Sequence, residues 1–241
     1  MYSSFKTYLE RSLHQKFDLQ RRPIPEGLEY KVGDRGKSPA TIRSWCYSCP
    51  ELRKIRYTSI DAGKSAQIFN CVMYPNYQYD LPLLGLDFLS FGNVKNLIVL
   101  DFQPLFRDEA YLEKYTAPLK GLRDRYPDLC QDLEMKFYDA NQYFSRYLLF
   151  AKTDVETIRT QLFPAFQDFL ALYWQMLDAA KPLTQPSAIE RVMKAQQDYD
   201  QYSAERDPAL GLFSSHFGHE WAERFLYEFL FEDAVPVAMA V

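Results

Sequence analysis

The spacing of turn signals constrains this chain more than any other feature. Between Gly27 and Gln103 six short β-like runs follow one another: Leu28 to Val32, Thr41 to Tyr47, Leu52 to Ile60, Ala66 to Tyr74, Leu86 to Phe91 and Asn96 to Phe102. They are separated at Gly33, Gly36, Pro50, Gly63, Pro75 and Gly92-Asn93. A parallel pair needs a crossover of a dozen or more residues, and none of these gaps holds one. The strands therefore join as an antiparallel meander, which excludes a parallel dinucleotide-binding sheet.

Helical periodicity brackets the meander. Phe5, Tyr8, Leu9 and Leu13 mark an amphipathic helix over Ser3 to Gln15. Further helical patterns cover Asp108 to Tyr126, Thr153 to Ala180, Ser187 to Arg206 and His219 to Phe231. Thr153-Asp154-Val155-Glu156 has the form of a capping box, and Pro164 is expected to bend the helix it opens. Met135 to Tyr138 and Tyr147 to Phe150 are candidates for one or two more strands. The expected fold is α/β, an antiparallel sheet flanked by helices on both faces. No Pro/Gly/Ser-rich linker interrupts it, so residues 1–241 read as one domain.

Composition narrows the function classes. With 47% hydrophobic and 25% charged residues the chain has the make-up of a soluble globular protein. A net charge of −4 argues against nucleic acid as a partner, because a duplex footprint needs a strongly basic surface. Apolar runs such as Leu97 to Leu100 fall far short of the roughly 20 residues of a membrane span. Met1-Tyr2-Ser3-Ser4-Phe5 has no signal or transit pattern, so the expected compartment is the cytoplasm. Aromatic residues make up 16% of the chain, a large supply of flat surface for a core or for a planar ligand.

No Gly-x-Gly-x-x-Gly, Walker A or Gly-x-Ser-x-Gly motif is present, so nucleotide-cofactor and serine-hydrolase chemistry lack their signatures. Trp45-Cys46-Tyr47-Ser48-Cys49-Pro50 copies a thioredoxin-like Cys-x-x-Cys. Pro50 and Glu51 to Tyr57, however, read as a turn into a strand, where a redox-active thiolate would need a helix N-terminus. His14, His216 and His219 do not complete a zinc set with Cys46 and Cys49.

Acids inside apolar runs are the informative anomaly: Asp87 within Leu83 to Leu89, and Asp101 within Leu97 to Phe102. A carboxylate there is costly unless paired, hydrogen-bonded or neutral, and desolvation makes it a proton donor near neutral pH. If residues 92 to 96 close a hairpin, the two acids lie opposite each other on one face. The alternative is that an acid simply accepts hydrogen bonds and pins the strand pair. Asn70, embedded in Ile68 to Val72, also needs a partner. Asp207 precedes Pro208, which stops a helix and leaves a loop acid open to solvent.

These residues sit in blocks that resemble the ferredoxin-dependent bilin reductases. The blocks are Asn70-Cys71-Val72-Met73-Tyr74-Pro75, Tyr79 to Gly92 with Leu86-Asp87-Phe88, Val99 to Leu105, Asn141 to Ser145, Tyr202 to Phe213 with Arg206-Asp207-Pro208, and Phe225 to Phe231. The resemblance implies an α/β/α sandwich that holds biliverdin IXα between the sheet and the C-terminal helices. It implies no bound cofactor or metal, with single electrons from reduced [2Fe-2S] ferredoxin. The family's catalytic acid falls on Asp87, its asparagine or histidine on Asn70 and its loop acid on Asp207, while Lys152 falls where members often carry a propionate-binding arginine. Within the family the chain is most similar to members that deliver two electrons to the C15–C16 methine bridge, the first step of phycoerythrobilin synthesis. Asn70 is shared with the four-electron phycoerythrobilin synthase, which stays an alternative.

Ferredoxin is acidic, and residues 21–64 carry ten Lys and Arg, among them Lys31, Lys37, Arg53, Lys54 and Arg56, against five acids. They form the expected docking region. The chain is expected to act as a monomer, with the next reductase of the pathway as a further partner. Two other classes are a non-catalytic bilin carrier or lyase-like protein, and a thiol oxidoreductase using Cys46 and Cys49. A buried acid separates the reductase from the carrier, which has no use for one.

Overall fold

The computed structural model describes residues 1–35, 38–92 and 95–236. Gly36, Asn93 and Lys37, named above as turn and docking residues, lie outside them. After helix α1 (Ser3–Lys16) come strands β1 (Gln20–Arg21), β2 (Tyr30–Gly33), β3 (Ala40–Ser48), β4 (Leu52–Asp61), β5 (Ala66–Pro75), β6 (Leu83–Phe91) and β7 (Lys95–Gln103). Helices α2 (Glu109–Tyr115), α3 (Leu119–Arg125) and α4 (Ala140–Tyr143) precede β8 (Leu149–Thr153). The chain ends in α5 (Val155–Thr157), α6 (Phe163–Ala179), α7 (Pro186–Arg206), α8 (Ala209–Phe217) and α9 (His219–Arg224).

All strands pair antiparallel in the order β1-β3-β4-β5-β6-β7-β8, with β2 also on β3. The pleat sends alternate residues to two helical layers. On one face Phe88 meets Phe5 of α1 at 5.2 Å, and Phe102 meets Phe169 of α6 at 5.5 Å. On the other, Tyr74 donates to Asp200 of α7 at 2.8 Å and Tyr199 to Gln103 at 2.7 Å. The arrangement is the expected sandwich.

A bulge between Leu52 and Lys54 shapes the second face. The extra residue breaks the alternation, so that consecutive cations turn toward the same helical layer. Arg53 reaches Gln196 and Asp233, while Lys54, 0% exposed, donates to the Phe229 carbonyl at 2.8 Å. Arg56 donates to the Leu230 carbonyl at 2.9 Å. These carbonyls end the C-terminal helix through a π-helical turn, Phe225–Leu230, and lack partners within it. Two strand cations therefore cap a helix C-terminus, the end that favours positive charge.

Several expected boundaries shift. The segment read as a helix from Asp108 to Tyr126 breaks at Thr116, whose hydroxyl takes the Leu112 carbonyl before Pro118 opens α3. Ahead of Pro164 the helix widens into a π-turn, Ile158–Leu162, which accommodates the missing proline N–H without interrupting the helical path. Residues 135–138 form no strand: β8 takes the edge beside β7, two residues later than expected, and Tyr138 packs on Phe144 and Tyr202 instead. Helix α8 has no counterpart among the expected elements. Gly218 at φ +92° turns the chain sharply from α8 into α9, so His216 and His219 sit on separate helices.

Candidate active site

Strands β6, β7 and β8 are asymmetric. Residues facing α1 and α6 (Leu86, Phe88, Ile98, Leu100, Leu149 and Ala151) are at most 2% exposed. Their neighbours on the other face, Leu89, Leu97, Val99 and Phe150, are only partly covered. This is an apolar floor that the protein's own helices do not fill.

Asp87 stands in that floor, directly opposite Asn70 on β5 and Val99 on β7. Asn70 Nδ2 donates to Asp87 Oδ1 at 3.3 Å, and Arg56 Nη1 donates to Asn70 Oδ1 at 2.6 Å. Burial, and then the Asp207 charge, push the Asp87 carboxyl up to about 7, against the Asn70 hydrogen bond and the Arg56 charge, which lower it. Asp87 therefore holds a proton through much of the range in which an ordinary carboxyl has lost it.

Asp207 is brought to the same site from a sequence distance of 120 residues. It ends α7 as expected, but it is half-buried rather than a solvated loop acid. Its Oδ1 accepts the Ala209 N–H at 2.8 Å, so the acid that follows one helix also holds the start of the next. Burial raises its pKa too. Tyr138 lies near both acids; burial first, then Asp207, hold its phenol protonated.

Asp101 is not the partner of Asp87. It pairs with Gly85, two residues along, and although it shares the face it is 0% exposed. Ser145 donates to it through backbone N–H at 2.6 Å and through Oγ. Burial raises Asp101 to about 7, opposed by those bonds, and its geometry is that of an anchor for the 139–148 segment. The like charge that acts on Asp87 comes from the helices, which no strand register could reveal.

Lys152 pairs with Leu97, which puts it on the floor side of edge strand β8, exposed at the rim. Arg56, 1% exposed and bonded to Asn70 at 2.6 Å, is a member of this cluster that the sequence did not single out. The sequence places it with Lys54 among docking cations, yet both are inside the protein. The available signal was the alternation of Leu52, Lys54, Arg56 and Thr58, which puts both cations on one face of a strand with buried neighbours. The docking region therefore loses these two, while Lys31, Arg35 and Arg43 keep accessible surface.

Cys46 and Cys49 are 4% and 7% exposed, and burial raises both thiols, Cys49 to about 11. Pro50 and Glu51 form a hairpin turn closed by Cys49 and Leu52, with no helix dipole to stabilise a thiolate. Among the described residues no group of three or more His, Cys, Asp or Glu could hold a metal ion. Among them, too, no helix is long and apolar enough to cross a membrane.

A family model described as "Ferredoxin-dependent bilin reductase" matches residues 6–232. A protein of Nostoc punctiforme named 15,16-dihydrobiliverdin:ferredoxin oxidoreductase is 72% identical over 240 residues, covering 100% of this chain and 98% of its own. One of the same name from Gloeobacter violaceus is 64% identical, covering 99% and 98%. The crystal structure of phytochromobilin synthase from tomato in complex with biliverdin superposes with a TM-score of 0.87 at 21% identity, over 97% of this chain and 83% of that one, a likeness of fold.

Proposed function

We infer the reaction from the premise that this chain belongs to the ferredoxin-dependent bilin reductases, the family whose model spans nearly all of it. Its activity is the two-electron reduction of biliverdin IXα to 15,16-dihydrobiliverdin, the reaction in the name of relatives at 72% and 64% identity. The observation that carries the mechanism is the Asp87 carboxyl, 3.3 Å from the Asn70 amide on a half-open apolar floor, where burial pushes it up to about 7. A flat tetrapyrrole lies against Leu89, Leu97 and Val99, its far side covered by the C-terminal helices and the Tyr138 segment. Biliverdin contributes the planar surface that these aliphatic side chains leave uncovered.

Asp87 donates a proton to the bound bilin, making it a better electron acceptor. Reduced ferredoxin supplies one electron to give a bilin radical, and a second ferredoxin supplies another. A second proton completes the balance: two electrons and two protons convert the C15–C16 double bond to a single bond, and two ferredoxins are oxidised. Asp87 is reprotonated from solvent. Asn70 orients Asp87; Asp207 when ionised keeps the Asp87 proton in place by its charge, and once it has itself taken up a proton it is the candidate for the second transfer. Lys152 at the rim meets a propionate with a point charge. No bound organic cofactor is needed, since the substrate itself receives the electrons.

Ferredoxin docks on the cations between residues 21 and 64 that remain exposed. The chain works as one bilin reductase domain, as a monomer in the cytoplasm, and passes its product to the next reductase of phycoerythrobilin synthesis. The test is an anaerobic assay of the purified protein with biliverdin IXα and reduced ferredoxin, followed by absorption and chromatography. 15,16-Dihydrobiliverdin as the end product supports this reading. Phycoerythrobilin would reassign the chain to four-electron reduction, and a stable biliverdin complex without turnover would make it a carrier.

A further inference from the structure

We infer that Arg56 is a positioning residue for Asp87, acting through Asn70 by fixing which end of the Asn70 amide faces the acid. The inference rests on the reading of Asp87 as the proton donor, but its geometry stands by itself.

A guanidinium has donors only. The Asn70 atom 2.6 Å from Arg56 Nη1 must therefore be the carbonyl oxygen, and the amide nitrogen is forced to the other side, toward Asp87 Oδ1. Reversing the amide would set an N–H against a cation and a carbonyl against a carboxylate. Arg56 itself has little freedom to move. Its Nε is tied to the Leu230 carbonyl at 2.9 Å, its Cζ lies 5.2 Å from the Phe231 ring centroid, and it is 1% exposed. The lock therefore runs from the C-terminal turn through β4 and β5 to the donor on β6.

The consequence concerns protonation. An amide N–H facing Asp87 favours the carboxylate, whereas a reversed amide would offer a carbonyl that favours the protonated acid. The other groups around Asp87 are Asp207 at the end of α7, Tyr138 from the loop before α4 and Tyr2 at the start of α1. None of them touches the Asn70 carbonyl, so Arg56 alone among these groups holds the amide. A positioning role and a purely electrostatic role differ in one respect: only the first depends on Asn70 and on the shape of the guanidinium.

The experiment is an infrared pH titration of the substrate-free protein, using the carboxyl band that disappears in Asp87→Asn. Arg56→Gln is expected to move its midpoint up by about half to one pH unit. Arg56→Lys retains the charge without the fork and is expected to move it up as well. In an Asn70→Leu background the same two substitutions should move it by less than half as much. A wild-type midpoint in Arg56→Lys, or an Arg56→Gln shift that is undiminished in Asn70→Leu, would show that Arg56 acts by charge alone and overturn the inference. An unmoved midpoint in every variant would reduce Arg56 to a structural tie to the C-terminal turn. Should Arg56→Gln fail to fold, the comparison of Arg56→Lys in the two backgrounds decides. Because no substrate is present, failure of the wild-type protein to reduce biliverdin would count against the proposed reaction and leave this result intact.

Discussion

Asn70 and Asp87 are cross-strand partners on β5 and β6, and the amide of the first donates to the carboxyl of the second at 3.3 Å. The pair sits where the sheet is covered on one side by α1 and α6 and left partly open on the other. The proposed proton donor is thus held on a strand of the sheet rather than on a loop, with its polar partner in the adjacent strand.

Asp87→Asn should keep biliverdin binding, because the floor is unchanged and the substitution is nearly isosteric. Turnover should fall by at least about 100-fold, the contribution expected of a general acid. A spectroscopic titration with biliverdin and an anaerobic assay with electron paramagnetic resonance test this, and a one-electron-reduced bilin that accumulates is the expected signature. Wild-type turnover would remove Asp87 from the mechanism.

With Asp87 as the proposed proton donor, turnover should decline as pH rises through about 7, where the raised carboxyl ionises. Asp207 helps to raise it. Asp207→Asn removes a like charge and should move this decline to lower pH by about half a unit. The profile of kcat/KM is the measurement; a decline that moved upward would contradict the assigned electrostatics.

Ser145→Ala should destabilise the protein by about 1–3 kcal/mol, because it deprives the fully buried Asp101 of a hydroxyl donor. Chemical denaturation gives the value. The product formed should be the same as in the wild type, since Asp101 anchors a segment and does not face the floor's open part.

Lys152→Ala should raise KM for biliverdin about 2- to 5-fold with kcat little changed, on the scale of an exposed ion pair. Lys152→Arg should restore or improve binding by offering a fork to a propionate. Equal loss in kcat and kcat/KM for the alanine variant would point to a role in the chemistry instead.

Alkylation should leave activity in place. Cys46 and Cys49 are buried with raised pKa values, so neither offers a reactive thiolate at neutral pH. A Cys46→Ala, Cys49→Ala double variant assayed with biliverdin tests the same point; loss of turnover without loss of folding would reopen thiol chemistry.

Local pattern was enough to find the meander. β3, β4, β5 and β7 fall within a residue or so of the runs read between turn residues, because strand alternation and turn chemistry are short-range. Asp87 was legible for a similar reason: a carboxyl within Leu83 to Leu89 conflicts with its neighbours whatever the rest of the chain does. Helix α8 and the break at Thr116 were not legible, since both depend on how a turn packs rather than on periodicity.

Arg56 and Asp207 mark the limit. In sequence Arg56 is one cation among ten in a basic stretch, and Asp207 is a loop acid before a proline. Arg56 becomes a buried lock because the C-terminal turn lays the Leu230 carbonyl beside it from 174 residues away. Asp207 becomes a like charge on Asp87 because α7 ends over the floor. The sequence by itself determined the antiparallel sheet, the flanking helices and the anomalous acid, all of which arise from neighbouring residues. The tertiary structure decided which charges are buried and what each one faces, because desolvation and Coulomb interactions depend on distance in space and not on distance along the chain.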